Sequence, residues 1–105
     1  MNSESESILE ELRRFVAERD WRPLHTPKNL SMALSIEAGE LMEHFQWLTQ
    51  EQSDSLDEVT LREVADEVAD VQIYLLMLAD RLGIDIGAAV RQKIVKNALK
   101  YPVDG

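Results

Sequence analysis

Ile36-Glu37-Ala38-Gly39-Glu40-Leu41-Met42-Glu43 decides how this chain is read, and Glu63-Val64-Ala65-Asp66-Glu67-Val68-Ala69-Asp70 echoes it. Both stretches read as helix. Each carries two acids three residues apart, Glu37 with Glu40 and Glu67 with Asp70. Residues at that spacing are neighbours on one helical face. The chemistry depends on what those four carboxylates face.

Working outward, Thr26-Pro27 is an N-cap followed by proline in the first helical position, and it predicts a helix from about Pro27 to Leu48. Leu30, Leu34, Leu41, Phe45 and Leu48 form its apolar stripe, and Glu37 falls on that stripe between Leu34 and Leu41. An acid there points inward. The echo lies on a helix expected from the capping box Thr60-Leu61-Arg62-Glu63 to about Leu82, with Gly83 as its stop. Leu61, Val64, Val68, Val71, Leu75, Leu78 and Leu82 repeat by threes and fours, a helix-packing seam. The neighbouring stripe, Glu63, Glu67, Asp70, Tyr74 and Met77, begins acidic and turns aromatic and apolar.

The remaining segments fit the same plan. Ser7 with Glu10 is a capping-box pattern, and the helix it predicts runs to about Arg19 with Ile8, Leu12, Phe15 and Val16 as its apolar face. Asp20 to Thr26 reads as a loop carrying two large groups, Trp21 and His25. Trp21 either plugs the end of the bundle or overhangs a pocket. Thr49 to Val59 reads as a long polar connection. Asp85 can cap a last helix, Ile86 to Lys100, with a strip of Lys93, Lys96, Asn97 and Lys100. Lysines near a helix C-terminus are explained first by the helix dipole. The pattern has helices and no strand, so the expected fold is all-α: one domain over residues 1–105, a four-helix bundle protomer. A seam this long in so short a chain leads us to expect a homo-oligomer.

Composition narrows the function classes. The 105 residues include no cysteine, so thiolate metal sites and thiol nucleophiles are excluded. A net charge of −9 argues against a nucleic-acid polymer as partner. No apolar run approaches the roughly 18 residues that span a bilayer. The polar, acidic start Met1-Asn2-Ser3-Glu4 does not read as a signal peptide, and a cytoplasmic location is the default.

Glu37, Glu67 and Asp70 crowd like charges between two helices, where each unpaired carboxylate costs several kcal/mol to desolvate. No Lys or Arg sits among the acids on either stripe. A hard divalent cation is the other way to neutralise them, and an all-oxygen donor set favours Mg²⁺ or Mn²⁺. A di-iron bundle would want two Glu-x-x-His motifs, and neither acidic stretch supplies one; His44 reads as a surface or packing residue. Mg²⁺ with few protein ligands takes phosphate oxygens, which suggests a phosphate-ester or anhydride hydrolase. The bland alternative is a non-catalytic helical interaction module whose acids are solvated.

At these residues the sequence resembles the MazG-type all-α nucleotide pyrophosphohydrolases, and within them the dCTP pyrophosphatase branch. The likeness runs from about Phe15 to Pro102. It rests on Ala17-Glu18-Arg19-Asp20-Trp21, His25-Thr26-Pro27-Lys28-Asn29-Leu30, Glu37-Ala38-Gly39-Glu40-Leu41, Phe45-Gln46-Trp47, Glu67-Val68-Ala69-Asp70-Val71 and Lys93…Asn97…Lys100-Tyr101-Pro102. The resemblance implies Mg²⁺ ligation by Glu37, Glu40, Glu67 and Asp70. It implies hydrolysis of a nucleoside triphosphate to monophosphate and pyrophosphate, with dCTP or a modified dCTP first and dUTP among the alternatives. Glu40, with Glu37, is the catalytic pair we would assign. The resemblance places Trp21, His25, Trp47 and Tyr74 around the nucleotide and Lys93, Asn97 and Tyr101 on the phosphate side. The alternative for Trp47 is that it closes the core, and Lys93 could equally lie on a solvated face. A substrate-contacting histidine of the animal enzymes corresponds to Leu12, which leaves base preference open. The family's dimers and tetramers agree with the uncovered seam.

Overall fold

The structure is a computed structural model and describes residues 3–103. It contains α1 (Ser3–Glu18), a 3-10 turn (Arg22–Leu24), α2 (Pro27–Glu43), α3 (Gln50–Ser53), α4 (Glu58–Leu82) and α5 (Ile86–Lys100). Among the described residues there is no strand. The all-α expectation holds, with one short helix more than expected.

Three boundaries follow their signals. The Thr26 side chain accepts from Asn29 N, with Pro27 behind it. Asp85 accepts from Ala88 N. Gly83 takes φ 69°, and Ile84 N donates to Ala79 O at 2.8 Å, which closes α4.

Four local readings are corrected. The first helix is already running at Ser3, so Ser7 does not cap it. Its buried residue is Leu9, whereas Ile8 and Phe15 stand exposed. Thr60 does not cap α4: Asp57, one turn earlier, accepts from Thr60 N at 2.7 Å. Helix α2 stops at Glu43; over 44–48 several bonds tighten to the three-residue spacing of turns, such as Phe45 N to Met42 O. Within the polar connection, Thr49 and Gln52 form a full capping box for the single turn α3.

The core is small. Leu9, Leu30, Leu76 and Ala79 are its buried hydrophobic members, and Leu30 is 2% exposed. Helix α2 packs along α4 and α1 packs more narrowly against α4. Helix α5 lies against α4 only across an apolar groove lined by Leu78, Leu82, Ile86 and Val90. The bundle is therefore open on one side. Its radius of gyration is 16.8 Å, against about 13 Å for a compact chain of this length. Its surface of 8291 Å² exceeds the value of about 6,000 Å² expected for 12 kDa.

The open side is specific. Leu61, Val68, Leu75 and Leu82, spaced by seven, are all exposed along α4, Val68 at 51%. These four members of the apolar seam face out of the chain while Val64, Val71 and Leu78 are half-buried, and the stripe of Glu67, Asp70 and Tyr74 turns toward α2.

Candidate functional site: a carboxylate cluster beside a loop-walled cavity

The α2–α4 pairing brings the acids of the two stretches together. One carboxylate oxygen each from Glu37, Glu67 and Asp70 lies within 4.8 Å of the others. Glu40, one turn after Glu37, is in hydrogen-bonding range of it. Glu37 Oε2 and Glu67 Oε2 are shielded from solvent and have no hydrogen-bond partner. No Lys or Arg ion pair reaches the four acids among the described residues.

Such crowding can be relieved by a proton or by a cation. Without a cation, the contact with Glu40, then the contact with Glu67, then desolvation push the Glu37 carboxyl from 4.5 up to about 7. A hard divalent cation fits the same place better. The donors are all carboxylate oxygen, and two of them are buried without a donor of their own. Glu37, Glu67 and Asp70, with Glu40 at the edge, are the residues that could hold it.

A second feature lies next to the cluster. Asp20 ends α1 in the left-handed region at φ 55°. Asp20 N donates to Ala17 O and Trp21 N to Val16 O, the pattern of a helix end that usually has glycine at this position. That geometry drops Trp21 onto Phe15 edge-to-face at 5.6 Å, and His25 continues the ladder at 6.2 Å from Trp21. Arg19 covers the other side of Phe15 at 3.6 Å. Behind this turn is a cavity of about 220 Å³, lined among others by Leu12, Val16, His25, Leu30, Met77 and Arg81. His25 Nδ1 is shielded there and has no partner. Leu30 and Glu37 are seven residues apart on α2, about 10 Å along the helix, so the cavity and the carboxylates both lie along the α2–α4 pairing.

The other expected site residues divide. Tyr74 is half-buried on the stripe of Glu67 and Asp70. Trp47 lies in the turn beyond α2 and is 87% exposed, so it does not close the core of this chain. Lys93, Asn97 and Tyr101 are exposed on or just after α5, and Lys93 borders the α4–α5 groove. None of the three lines the cavity beside the carboxylates. His44 is half-buried with Nδ1 3.9 Å from Glu63 Oε2, a packing position as expected.

Sequence reasoning missed the far end of the cavity. Arg13 of α1 grips Asp80 of α4 with both Nε and Nη2, the former at 3.1 Å from Oδ2. This pair holds the Asp80 carboxyl below the usual range. Arg81, the next residue, donates from Nη1 to Arg22 O at 3.3 Å and His25 O at 3.4 Å. Extending the stripe Asp70, Tyr74, Met77 by one more step lands on Arg81, which was the available signal.

A family model described as MazG-like matches residues 32–105. The chain belongs to the MazG-like family. This MazG-like chain is 42% identical over 108 residues to dCTP pyrophosphatase 1 of Bos taurus, an alignment that takes in 94% of the chain. It is 42% identical over 103 residues to the Homo sapiens protein of the same description, taking in 92% of the chain. The chain spans 62% and 61% of the length of these two relatives. A pyrophosphatase of known structure from Archaeoglobus fulgidus DSM 4304 matches its fold with a TM-score of 0.91 at 42% identity, over 98% of this chain and 96% of that one.

Proposed function

We propose that this MazG-like chain is a Mg²⁺-dependent nucleoside triphosphate pyrophosphohydrolase, with Mn²⁺ able to replace Mg²⁺. The reaction breaks the bond between the α- and β-phosphates with water and releases a nucleoside monophosphate and pyrophosphate. The observation that carries this reading is the cluster of Glu37, Glu67 and Asp70, whose oxygens converge and whose buried members lack any donor. The named relatives support the reaction class.

The roles follow from exposure and position. Glu37, Glu67, Asp70 and Glu40 hold the ion, which supplies positive charge to the phosphate oxygens and to the leaving pyrophosphate. Glu40 is exposed, so incoming water can reach it, and we assign it the attacking water's proton. Glu37, in contact with Glu40, fixes its position. The cavity about 10 Å along α2 suits the nucleoside half; His25 lines it, Trp21 packs on His25, and Tyr74 precedes the lining residue Met77 on α4. Lys93, Asn97 and Tyr101 take the phosphate side if α5 of this or a neighbouring copy lies over the cluster, and Trp47 completes the nucleotide's surroundings in the same assembly.

We assign the exposed α4 stripe to a second copy of the chain, in a homo-oligomer that is a dimer or tetramer. The surplus surface of about 2,300 Å² over a compact monomer is of the size that obligate interfaces bury. Among substrates dCTP or a modified dCTP comes first, from the relatives' names. The role that fits is house-cleaning of the nucleotide pool in the cytoplasm.

The test is a panel of deoxynucleoside triphosphates, dUTP included, with pyrophosphate detection in Mg²⁺ and in chelator. Mg²⁺-dependent pyrophosphate release from at least one supports the reading. A helical interaction module would use the same exposed α4 stripe. It predicts no release and no metal-dependent nucleotide binding.

A further inference from the structure

The turn that carries Trp21 and His25 has little reason of its own to hold one shape. It is a single 3-10 turn between two helices, entered through an aspartate in the left-handed region. Its carbonyls, however, are taken by side chains from both neighbouring helices. Asn29 Nδ2 of α2 donates to Leu24 O at 3.0 Å. Arg81 Nη1 of α4 donates to Arg22 O and His25 O. Neither donor belongs to the carboxylate cluster. Arg81 is eleven residues from Asp70 along α4, about 16 Å away.

We propose that Arg81 is a positioning residue for nucleotide binding: its guanidinium clamps the Arg22–His25 turn to α4 and so sets the wall of the cavity beside the carboxylates. The role rests on the reading of that cavity as the nucleoside site. A guanidinium suits the task because the N–H groups of Nη1, which makes both bonds, are held in fixed directions by the planar group, whereas the three donors of an ammonium turn freely on a flexible stem. If the turn holds the binding-competent shape only a tenth of the time without the clamp, apparent affinity falls about tenfold and chemistry at the distant carboxylates is untouched.

The experiment compares Arg81→Met and Arg81→Lys with the wild-type protein, each in Mg²⁺. Amide hydrogen exchange across Trp21–His25 and Ile36–Leu41 is read beside steady-state kinetics on the best triphosphate of the panel and inhibition by inorganic pyrophosphate. Arg81→Met is expected to raise KM about tenfold with kcat within about twofold. It should also speed exchange across Trp21–His25, and leave exchange across Ile36–Leu41 and pyrophosphate inhibition as they were. Arg81→Lys should lie between the two. Unchanged exchange at the turn overturns the clamp, and so does an unchanged KM. Full recovery of KM in Arg81→Lys overturns it too, since charge alone would then account for the effect. If the wild-type protein turns over no triphosphate, the functional reading fails and exchange decides the clamp by itself: faster in Arg81→Met supports it, unchanged refutes it.

Discussion

In metal-free protein the carboxylate cluster should act against the fold, and replacing Glu37 by Gln should reveal it. Glu37 is pushed from 4.5 up to about 7 by its contacts with Glu40 and Glu67 and by desolvation. A raised carboxyl binds its proton more tightly folded than unfolded. Its contribution to stability is therefore complete below about 4.5 and is lost as pH rises through about 7. At about 1.4 kcal/mol per pKa unit the ceiling is about 3 kcal/mol. Glu37 is half-buried, so screening by solvent lowers the expected effect to about 1–2 kcal/mol. Glutamine keeps the shape and removes the charge. In chelator at pH 8, Glu37→Gln should be more stable than wild type by that amount, a rise in Tm of roughly 5–10 °C. The gap should close by pH 5. In saturating Mg²⁺ at pH 8 the order should reverse, because the variant has lost a ligand and the wild type gains binding energy. Thermal unfolding at one protein concentration across pH 5 to 8 measures all three. A destabilised Glu37→Gln in chelator, by an amount that does not change with pH, would refute the reasoning that crowded carboxylates define this site.

Glu67→Ala should lower pyrophosphate release by at least about a hundredfold while far-ultraviolet circular dichroism stays helical. Asp20→Gly should stabilise the chain by about 0.5–1 kcal/mol, because glycine occupies the left-handed position at φ 55° without a Cβ penalty; denaturant titration reads it. Val68→Asp puts a charge in the middle of the exposed α4 stripe; sedimentation should show a smaller species than wild type, whereas an unchanged mass would remove α4 from the interface.

The carboxylate cluster was legible because two facts of spacing sufficed: acids three apart share a face, and Glu37 interrupts an apolar stripe. Caps were legible where one residue had no competitor, as at Thr26, Asp85 and Gly83. At the start of α4 two caps were available, and Asp57 prevailed over Thr60 by sitting one turn earlier with a carboxylate. The Thr49–Gln52 box was visible too, but hidden in a stretch whose polarity reads as loop.

The inward turn of the α4 acids was legible only because Glu37 had already marked the inner face of α2. The α4 sequence declares one carbon-rich stripe and one acidic stripe, and periodicity alone cannot tell which of them the same chain covers. The structure half-buries Glu37 and Glu67 between α2 and α4 and leaves Leu61, Val68, Leu75 and Leu82 outside, the arrangement that the proposed ion and second copy would explain. Arg81 was legible as the next step of the Asp70, Tyr74, Met77 stripe, but its task was not. Its acceptors are main-chain carbonyls, and these leave no mark in a sequence. The end of α2 was hidden because nothing in the residues after Glu43 announces that the helix stops there.

Anomalous diffraction from crystals soaked in Mn²⁺ asks the central question without passing through activity. A peak between Glu37, Glu67 and Asp70, lost in Glu67→Ala, is the result expected. Crystals in which Mn²⁺ occupies other surfaces while these three carboxylates carry none would contradict the account.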